Sequence, residues 1–151
     1  MANTQAMCTS FKGELLVGHH NFGTGVVRGA TTADTFKAAL YLASATVNAS
    51  TTAYSATNEV SGTGYTAGGA TVTNATAPTT SGTTAIWTPS ASIAWTTVTL
   101  GTSFDAVLIY NSTQSNKAVS VHTFGATTVT AGNFTLTMPA NDASNALLRI
   151  A

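Results

Sequence analysis

The histidines are the residues of this chain that first suggest metal chemistry. His19 and His20 are adjacent, whereas two histidines on one helical face need a spacing of three or four residues. His122 lies far along the chain, and no Cys-x-x-Cys or His-x-x-x-His pattern accompanies it. We therefore expect no metal site and no cofactor.

The acidic side chains suggest a second chemistry, because paired carboxylates hydrolyse glycosidic bonds. We expect these side chains to serve instead as caps, turn residues and isolated surface ion pairs, since they are few and far apart. No Gly-x-Ser-x-Gly motif marks a nucleophilic serine. The sequence therefore predicts a protein that is not an enzyme. The acidic residues are Glu14, Asp34, Glu59, Asp105 (expected at a turn or cap) and Asp142.

Residues 46–69 read as a long polar connection in which Tyr54, Val60 and Tyr65 point inward. Its glycine-rich part, residues 62–69, suggests a phosphate-binding loop, but it lacks a Gly-Lys-Ser/Thr ending and no helix pattern follows it. Glycines that adopt positive φ in a tight loop explain the composition better. The tryptophans and tyrosines suggest a sugar-stacking platform, although buried aromatic side chains are the usual arrangement in a small β-protein.

The composition excludes several classes of partner. Only 7% of the residues are charged, the formal net charge is +0, and the five basic residues are scattered along the chain. Nucleic acid and anionic membranes bind clustered Lys and Arg, so we expect neither partner. The N-terminus has no basic segment followed by an apolar run, which predicts synthesis and folding in a cytoplasm. Cys8 is the one cysteine and predicts a free thiol.

Alternating apolar and polar residues from about residue 25 onward predict β-strands. Thr35–Ala45 shows the pattern most clearly, and Phe104–Asn111 is apolar on both faces, as expected of a central strand. Short strands separated by Gly, Pro and Asn predict an all-β fold, an antiparallel, jelly-roll-like β-sandwich of about eight strands. The predicted core comprises Phe36, Leu40, Leu42, Ile86, Val98, Val107, Ile109, Val121, Phe134 and Leu136.

The N-terminal residues follow a different pattern, with an apolar stripe at helical spacing. Thr9 or Ser10 is the expected cap and Gly23 the expected end of this short helix. Such a helix is marginal alone and must dock on a surface, either that of its own sandwich or that of a neighbouring subunit. We therefore divide the chain into an N-terminal helical arm, residues 1–24, and a β-sandwich domain, residues 25–151.

Two long segments of the chain stand out, the run Asp34–Ala45 and the run Tyr54–Gly69, which reads Tyr-Ser-Ala-Thr-Asn-Glu-Val-Ser-Gly-Thr-Gly-Tyr-Thr-Ala-Gly-Gly. In this order they resemble segments of small virion proteins of tailed bacteriophages. Trp95-Thr96, the strand Val107–Asn111 and the late Gly132-Asn133-Phe134 hairpin extend the resemblance over most of the chain, as does Ser10–Leu16.

This resemblance implies a non-enzymatic role in the virion, chiefly as a capsid decoration protein. The implied partners are the major capsid protein and further copies of the chain in a homo-oligomer, and the implied location is the virion. A tail or head-fibre component that binds the host surface is the alternative. The residues expected at interfaces are Phe11, Leu15, Leu16, Phe22, Tyr54 and Tyr65.

Overall fold

The computed structural model describes residues 13, 15–18, 34–73 and 77–151. These residues divide into two compact units. The larger unit holds residues 34–73 and 91–137, and the smaller one holds residues 13, 15–18, 77–90 and 138–151. The predicted boundary at residue 24 lies outside the described residues.

The described elements are all strands, and every strand pair is antiparallel. The larger unit contains a four-stranded sheet in the order β2-β1-β5-β6, and the smaller unit contains a three-stranded sheet in the order β3-β4-β7. The strands are β1 (Phe36–Leu42), β2 (Ala70–Thr71), β3 (Thr79–Ser81), β4 (Thr84–Trp87), β5 (Ile93–Asn111), β6 (Lys117–Leu136) and β7 (Leu148–Ile150).

Strand β1 pairs with the apolar part of β5, so that Leu40 lies opposite Val107 and Ala38 opposite Ile109. Both faces of this pair are apolar, as the sequence predicts for a central strand. One face forms a cluster of buried side chains that the loop after β1 covers with Ala45, Val47 and Tyr54. The cluster comprises Ala39, Tyr41, Ala106, Leu108 and Tyr110.

Strands β5 and β6 are longer than the sequence predicts. The sequence pattern divides β5 at Gly101 and divides β6 at Gly125 and Gly132. Each nevertheless continues as one strand, of 19 residues in β5 and 20 residues in β6. The pairing between β5 and β6 shifts register near these glycines. At two of the register shifts, Thr97 and Ala131 adopt positive φ. A bulge accommodates a residue that a regular ladder excludes, so glycine does not end the strand here.

The smaller unit is built on β4, whose Ala85, Ile86 and Trp87 are buried. Strand β3, which the sequence pattern misses, pairs with one side of β4, and β7 pairs with the other. The N–H of Leu147 donates to the Thr88 hydroxyl at 3.0 Å and fixes the approach to β7.

The predicted core is deepest around β1 and the middle of β5. Leu40, Ile86, Val98, Val107 and Ile109 are buried. The remaining predicted core residues are only half-buried: Phe36, Leu42, Val121, Phe134 and Leu136. Asp105 lies inside β5 and is half-buried, so its predicted place at a turn or cap is wrong.

The all-β class and the antiparallel pairing are confirmed. Among the described residues no N-terminal helix is seen: Gly13, Leu15 and Leu16 have helical backbone but form no element, and most of the predicted range lies outside the described residues. The jelly-roll-like sandwich stays a prediction, and the described residues form seven strands where about eight were expected.

The depth of Ile109 gives the fold a direct test. Its side chain is 1% exposed, so Ile109→Ala leaves a cavity and should lower the free energy of unfolding by about 2–5 kcal/mol. Denaturant titration measures this change. The control is Thr128→Ala on the exposed side of β6, which should stay within about 0.5 kcal/mol of the parent. Equal effects of the two changes would contradict the assignment of β5 as the central strand.

Candidate functional site

The four tyrosines of the chain gather around one carboxylate. Tyr41 lies on β1, Tyr110 lies on β5, and Tyr54 and Tyr65 lie in the loop that joins β1 to β2. The carboxylate belongs to Glu59, in the same loop. We call these five side chains the Tyr–Glu cluster.

Three neutral donors bind the carboxylate of Glu59. The hydroxyl of Tyr54 donates to Oε2 at 2.6 Å. The hydroxyl of Tyr65 and the backbone N–H of Gly68 both donate to Oε1, each at 2.8 Å. The Glu59 residue is only 9% exposed. Burial of a charge is unfavourable unless hydrogen bonds replace its water, and these donors take that role.

A second set of hydrogen bonds ties the cluster to both central strands. The Tyr65 hydroxyl accepts from the N–H of Leu40 on β1 at 3.0 Å, and the Tyr110 hydroxyl donates to the carbonyl of Gly68 at 2.7 Å. The Tyr41 hydroxyl donates to the carbonyl of Ser55. The loop is therefore held to β1 and to β5 through side chains as well as through its backbone.

The loop packs closely against β1 and β5 because its glycines have no side chain. A Cβ on Gly69 would lie 1.8 Å from the carbonyl oxygen of Ala38, and one on Gly62 would lie 2.1 Å from that of Thr99. Both distances are far inside van der Waals contact. Gly69 also has φ +73°, which glycine adopts readily. The glycine-rich stretch thus serves close backbone packing and positive φ, as its composition predicts.

Aromatic stacking completes the packing around the cluster. The rings of Tyr54 and Tyr110 stack with centroids 4.7 Å apart and 16° between their planes. Trp95 lies between Tyr65 and Phe134, at centroid distances of 6.5 and 5.9 Å. Trp95 is buried, and its indole N–H has no hydrogen-bond partner in the described structure. These rings pack inside the protein instead of presenting a stacking platform for sugars.

The electrostatics keep the tyrosines protonated. Burial, and then the hydrogen bond to Glu59, raise the pKa of Tyr54. Burial is also the main reason that the pKa of Tyr65, of Tyr41 and of Tyr110 is raised, with the Glu59 charge contributing in each case. Each hydroxyl therefore acts as a hydrogen-bond donor at neutral pH, and none is poised to lose its proton to a substrate.

The geometry leaves Glu59 little capacity for catalysis. Both of its oxygens already accept hydrogen bonds from the protein, whereas a general base needs a lone pair directed at its substrate. Glu59 also lies outside the lining of two surface depressions that have volumes of about 270 and 230 Å³. The arrangement is suited to holding a loop in place.

The other acidic residues that the structure describes are separate from this cluster. Asp34 accepts from the side-chain amides of Asn111 and Gln114 at 2.6 and 3.3 Å. Asp142 accepts from the backbone N–H groups of Ser144 and Asn145, and together with the Asn145 side chain these bonds lower its pKa. The expectation of caps and turns therefore holds at Asp142, whereas Glu59 is a buried hydrogen-bond centre.

The histidines do not assemble a metal site in the part of the chain that is described. His122 lies on β6, where its Nε2 is 2.9 Å from the Ser120 hydroxyl, and burial lowers its pKa. His19, His20 and Glu14 lie outside the described residues. Among the described residues, no three His, Cys, Asp or Glu side chains come together as metal ligands.

The predicted interface residues have three different outcomes. Tyr54 and Tyr65 are half-buried members of the Tyr–Glu cluster. Leu15 is 39% exposed and Leu16 is half-buried. Phe11 and Phe22 lie outside the described residues. A role in an interface stays a prediction for all of these positions.

Comparisons with protein-family models, curated proteins and solved structures find no match for this chain. Within the described residues, no helix has the length and apolar character needed to span a membrane.

Replacing the carboxylate tests the cluster. Glu59→Gln keeps one acceptor oxygen but turns an NH2 group toward donors, so we expect the free energy of unfolding to fall by about 1–3 kcal/mol. A double-mutant cycle with Tyr54→Phe, followed by denaturant titration, measures the coupling between the two side chains. Additive effects would contradict the hydrogen bond between Tyr54 and Glu59 as a stabilising contact.

Alkaline titration provides a second test. The tyrosine pKa values are raised above the unfolded value near 10, so above that pH the unfolded chain releases protons that the folded chain retains. Stability from this source is complete below pH 10 and is lost as the pH rises further. We expect tyrosinate absorbance to appear together with unfolding, as monitored by circular dichroism. Tyrosinate formation in a chain that stays folded would contradict the buried network.

Proposed function

We propose that the protein is a non-enzymatic structural component of a tailed-bacteriophage virion that decorates the capsid and stabilises it by binding over capsomers. In this proposal its partners are the major capsid protein and further copies of itself. The support comes from the surface of the larger unit, from the state of its buried polar groups, and from the resemblance in sequence.

The uncharged surface of the β5–β6 hairpin is the observation that carries the proposal. From Ile93 to Leu136 the only Asp, Glu, Lys, Arg or His residues are Asp105, Lys117 and His122. The exposed positions of both strands are mostly Thr, Ser, Ala, Gly and Asn. Such a surface lacks the long-range repulsion that keeps highly charged proteins apart. It is therefore suited to close packing in an assembly of many copies.

The Tyr–Glu cluster supports the non-enzymatic part of the proposal. Both oxygens of its carboxylate accept hydrogen bonds, from Tyr54, Tyr65 and Gly68, and an active site needs groups that are directed at a substrate. Asp34 and Asp142 have separate partners. The polar groups that sequence reasoning considers for catalysis thus have structural roles wherever the structure describes their contacts.

The resemblance to small phage virion proteins falls on the segments that build the cluster. Asp34–Ala45 contains β1 with Tyr41, and Tyr54–Gly69 contains Glu59, Tyr65 and Gly68. These are the residues that hold the loop to the sheet. The resemblance therefore concerns positions that determine a fold, and the virion role is proposed through that likeness.

The N-terminal residues have a further place in the proposal. We expect residues 1–24 to act as an arm on a neighbouring subunit, with Leu15 and Leu16 among its apolar side chains. The exposed fraction of Leu15, 39%, is compatible with that use. Packing of the same residues on their own subunit is the alternative.

Copy number on the particle tests the proposal. In a phage that carries this gene, quantitative mass spectrometry and cryo-electron microscopy of purified virions should find the protein on the capsid, in numbers comparable with the major capsid protein. Deleting the gene should leave capsids that assemble but lose their DNA at a lower temperature. A copy number far below that of the capsid protein, together with loss of host adsorption, would favour the tail or head-fibre alternative. Absence from the virion would overturn both roles.

A further inference from the structure

Strand β6 forms one border of the four-stranded sheet. Its inner side pairs with β5. On its outer side the loop after β1 pairs only with the first residues, since Tyr54 N–H donates to the Asn116 carbonyl at 2.9 Å and Ala118 N–H donates to that of Thr52 at 3.0 Å. Beyond Ala118, no described segment forms a ladder with the outer side of β6.

The backbone hydrogen bonds between neighbouring strands determine the side of the strand on which each N–H and C=O group lies. Leu40 and Leu42 bond to the loop on the outer side of β1, so in an antiparallel ladder their neighbours Ala39 and Tyr41 bond to β5. The partners of those two residues, Leu108 and Ala106, therefore point toward β1. It follows that Val107 and Ile109 point toward β6.

The same alternation carries over to β6. Val107 and Ile109 lie opposite His122 and Ser120, so these two residues bond to β5. Val121 and Thr123 consequently direct both their N–H and their C=O groups away from the sheet. The outward N–H of Ala118, which donates to Thr52, has the orientation that this alternation requires.

Strand β6 is regular only over a short stretch at this place. The pairings of Ser120, Val121, His122 and Thr123 follow one another without interruption, whereas the register shifts on both sides, before Ser120 and after Thr123. Bulges commonly prevent a border strand from pairing with other chains. The regular stretch lacks that protection, and it contains no proline and no Lys, Arg, Asp or Glu.

The surroundings leave room beside this stretch. A depression of about 270 Å³ borders residues 118–121, and its far side is formed by Asn48, Ala49 and Thr51 of the loop. Val119, directly before the stretch, is one of the few large apolar side chains that are exposed in the described chain. The depression leaves space beside Val121, where no described segment forms a ladder with the outer donors and acceptors.

We infer that β6 pairs with β6 of a second copy of this chain, antiparallel and centred on His122. In this register Val121 of each copy lies opposite Thr123 of the other, so their outward N–H and C=O groups form four hydrogen bonds across a two-fold axis. The regular stretch is just long enough for this pairing. The inference deepens the proposed structural role by naming the surface through which copies meet.

Charge also favours a second copy as the occupant. The stretch has His122 as its one titratable side chain, and burial lowers the pKa of that histidine, which keeps it neutral at neutral pH. Two facing imidazoles therefore do not repel at that pH. A charged peptide would find no charged partner on this stretch, whereas pairing of two identical uncharged stretches leaves no charge without a partner. The contact is short, so we expect weak association that many copies on a particle reinforce.

A disulfide tests the register. Opposed residues of a non-hydrogen-bonded antiparallel pair have Cα atoms about 4.5 Å apart, within the range for a disulfide. In a Cys8→Ser background, His122→Cys should therefore form a covalent dimer under mild oxidation of the concentrated protein. Thr130→Cys, exposed on the same strand beyond the register shifts, is the matched control. Equal dimer yields from both variants would overturn the register.

Proline substitution tests the pairing itself. Thr123 is exposed, and its N–H is directed outward, so Thr123→Pro should unfold at nearly the same denaturant concentration as Thr123→Ala. Sedimentation velocity of the concentrated protein should show self-association for Thr123→Ala and none for Thr123→Pro. Strong destabilisation by Thr123→Pro would show that the chain itself uses this N–H, and a parent protein that stays monomeric would show that copies do not pair. Either result overturns the inference without bearing on the virion experiment, because both measurements use the isolated protein.

Discussion

The buried carboxylate of Glu59 is the constraint on which the larger unit depends. A carboxylate that is 9% exposed is stable only if donors replace the water it has lost. The donors all come from the same loop, with Tyr54 before Glu59 in the chain and Tyr65 and Gly68 after it. Satisfying one charge therefore fixes the path of the whole connection between β1 and β2.

The same network solves a problem of the sheet. The outer side of β1 meets the loop at Asn58 and Val60 and meets β2 at its other end, and between them the N–H of Leu40 bonds to the Tyr65 hydroxyl. A side chain here replaces a backbone partner in the ladder. The loop thus acts as an irregular fifth strand, which leaves β6 as the border with unpaired groups. The buried hydrogen-bond network thus lies on the β1 side of the sheet, and the outer side of β6 is left able to pair with another strand.

The sequence predicts this structure well where a local pattern is sufficient. The alternation of residues 35–45 predicts strand β1, although Ala38–Tyr41 are buried on both faces of the strand. The glycine-rich loop follows from the conformations that glycine allows. The role of Glu59 depends on donors that only the fold brings together, so its isolation from other acids in the sequence suggested a surface residue. The signal in the sequence is local: this acid stands between Tyr54 and Tyr65 in a glycine-rich segment. The long strands were divided because glycine usually breaks a strand, whereas Gly101 and Gly125 have open space where a side chain would stand.

The register shifts along β5 and β6 also govern how the hairpin can change in length. In a regular strand, loss of one residue turns every following side chain to the opposite face of the sheet. A bulge already holds an extra residue, so loss of one residue there converts the bulge to regular ladder and confines the change. Deletion of a single residue near Val119 or Ala131 should therefore leave the rest of the hairpin in its original register. Between them, in the stretch that contains Val121 and His122, a deletion would exchange the buried and the exposed sides of the strand.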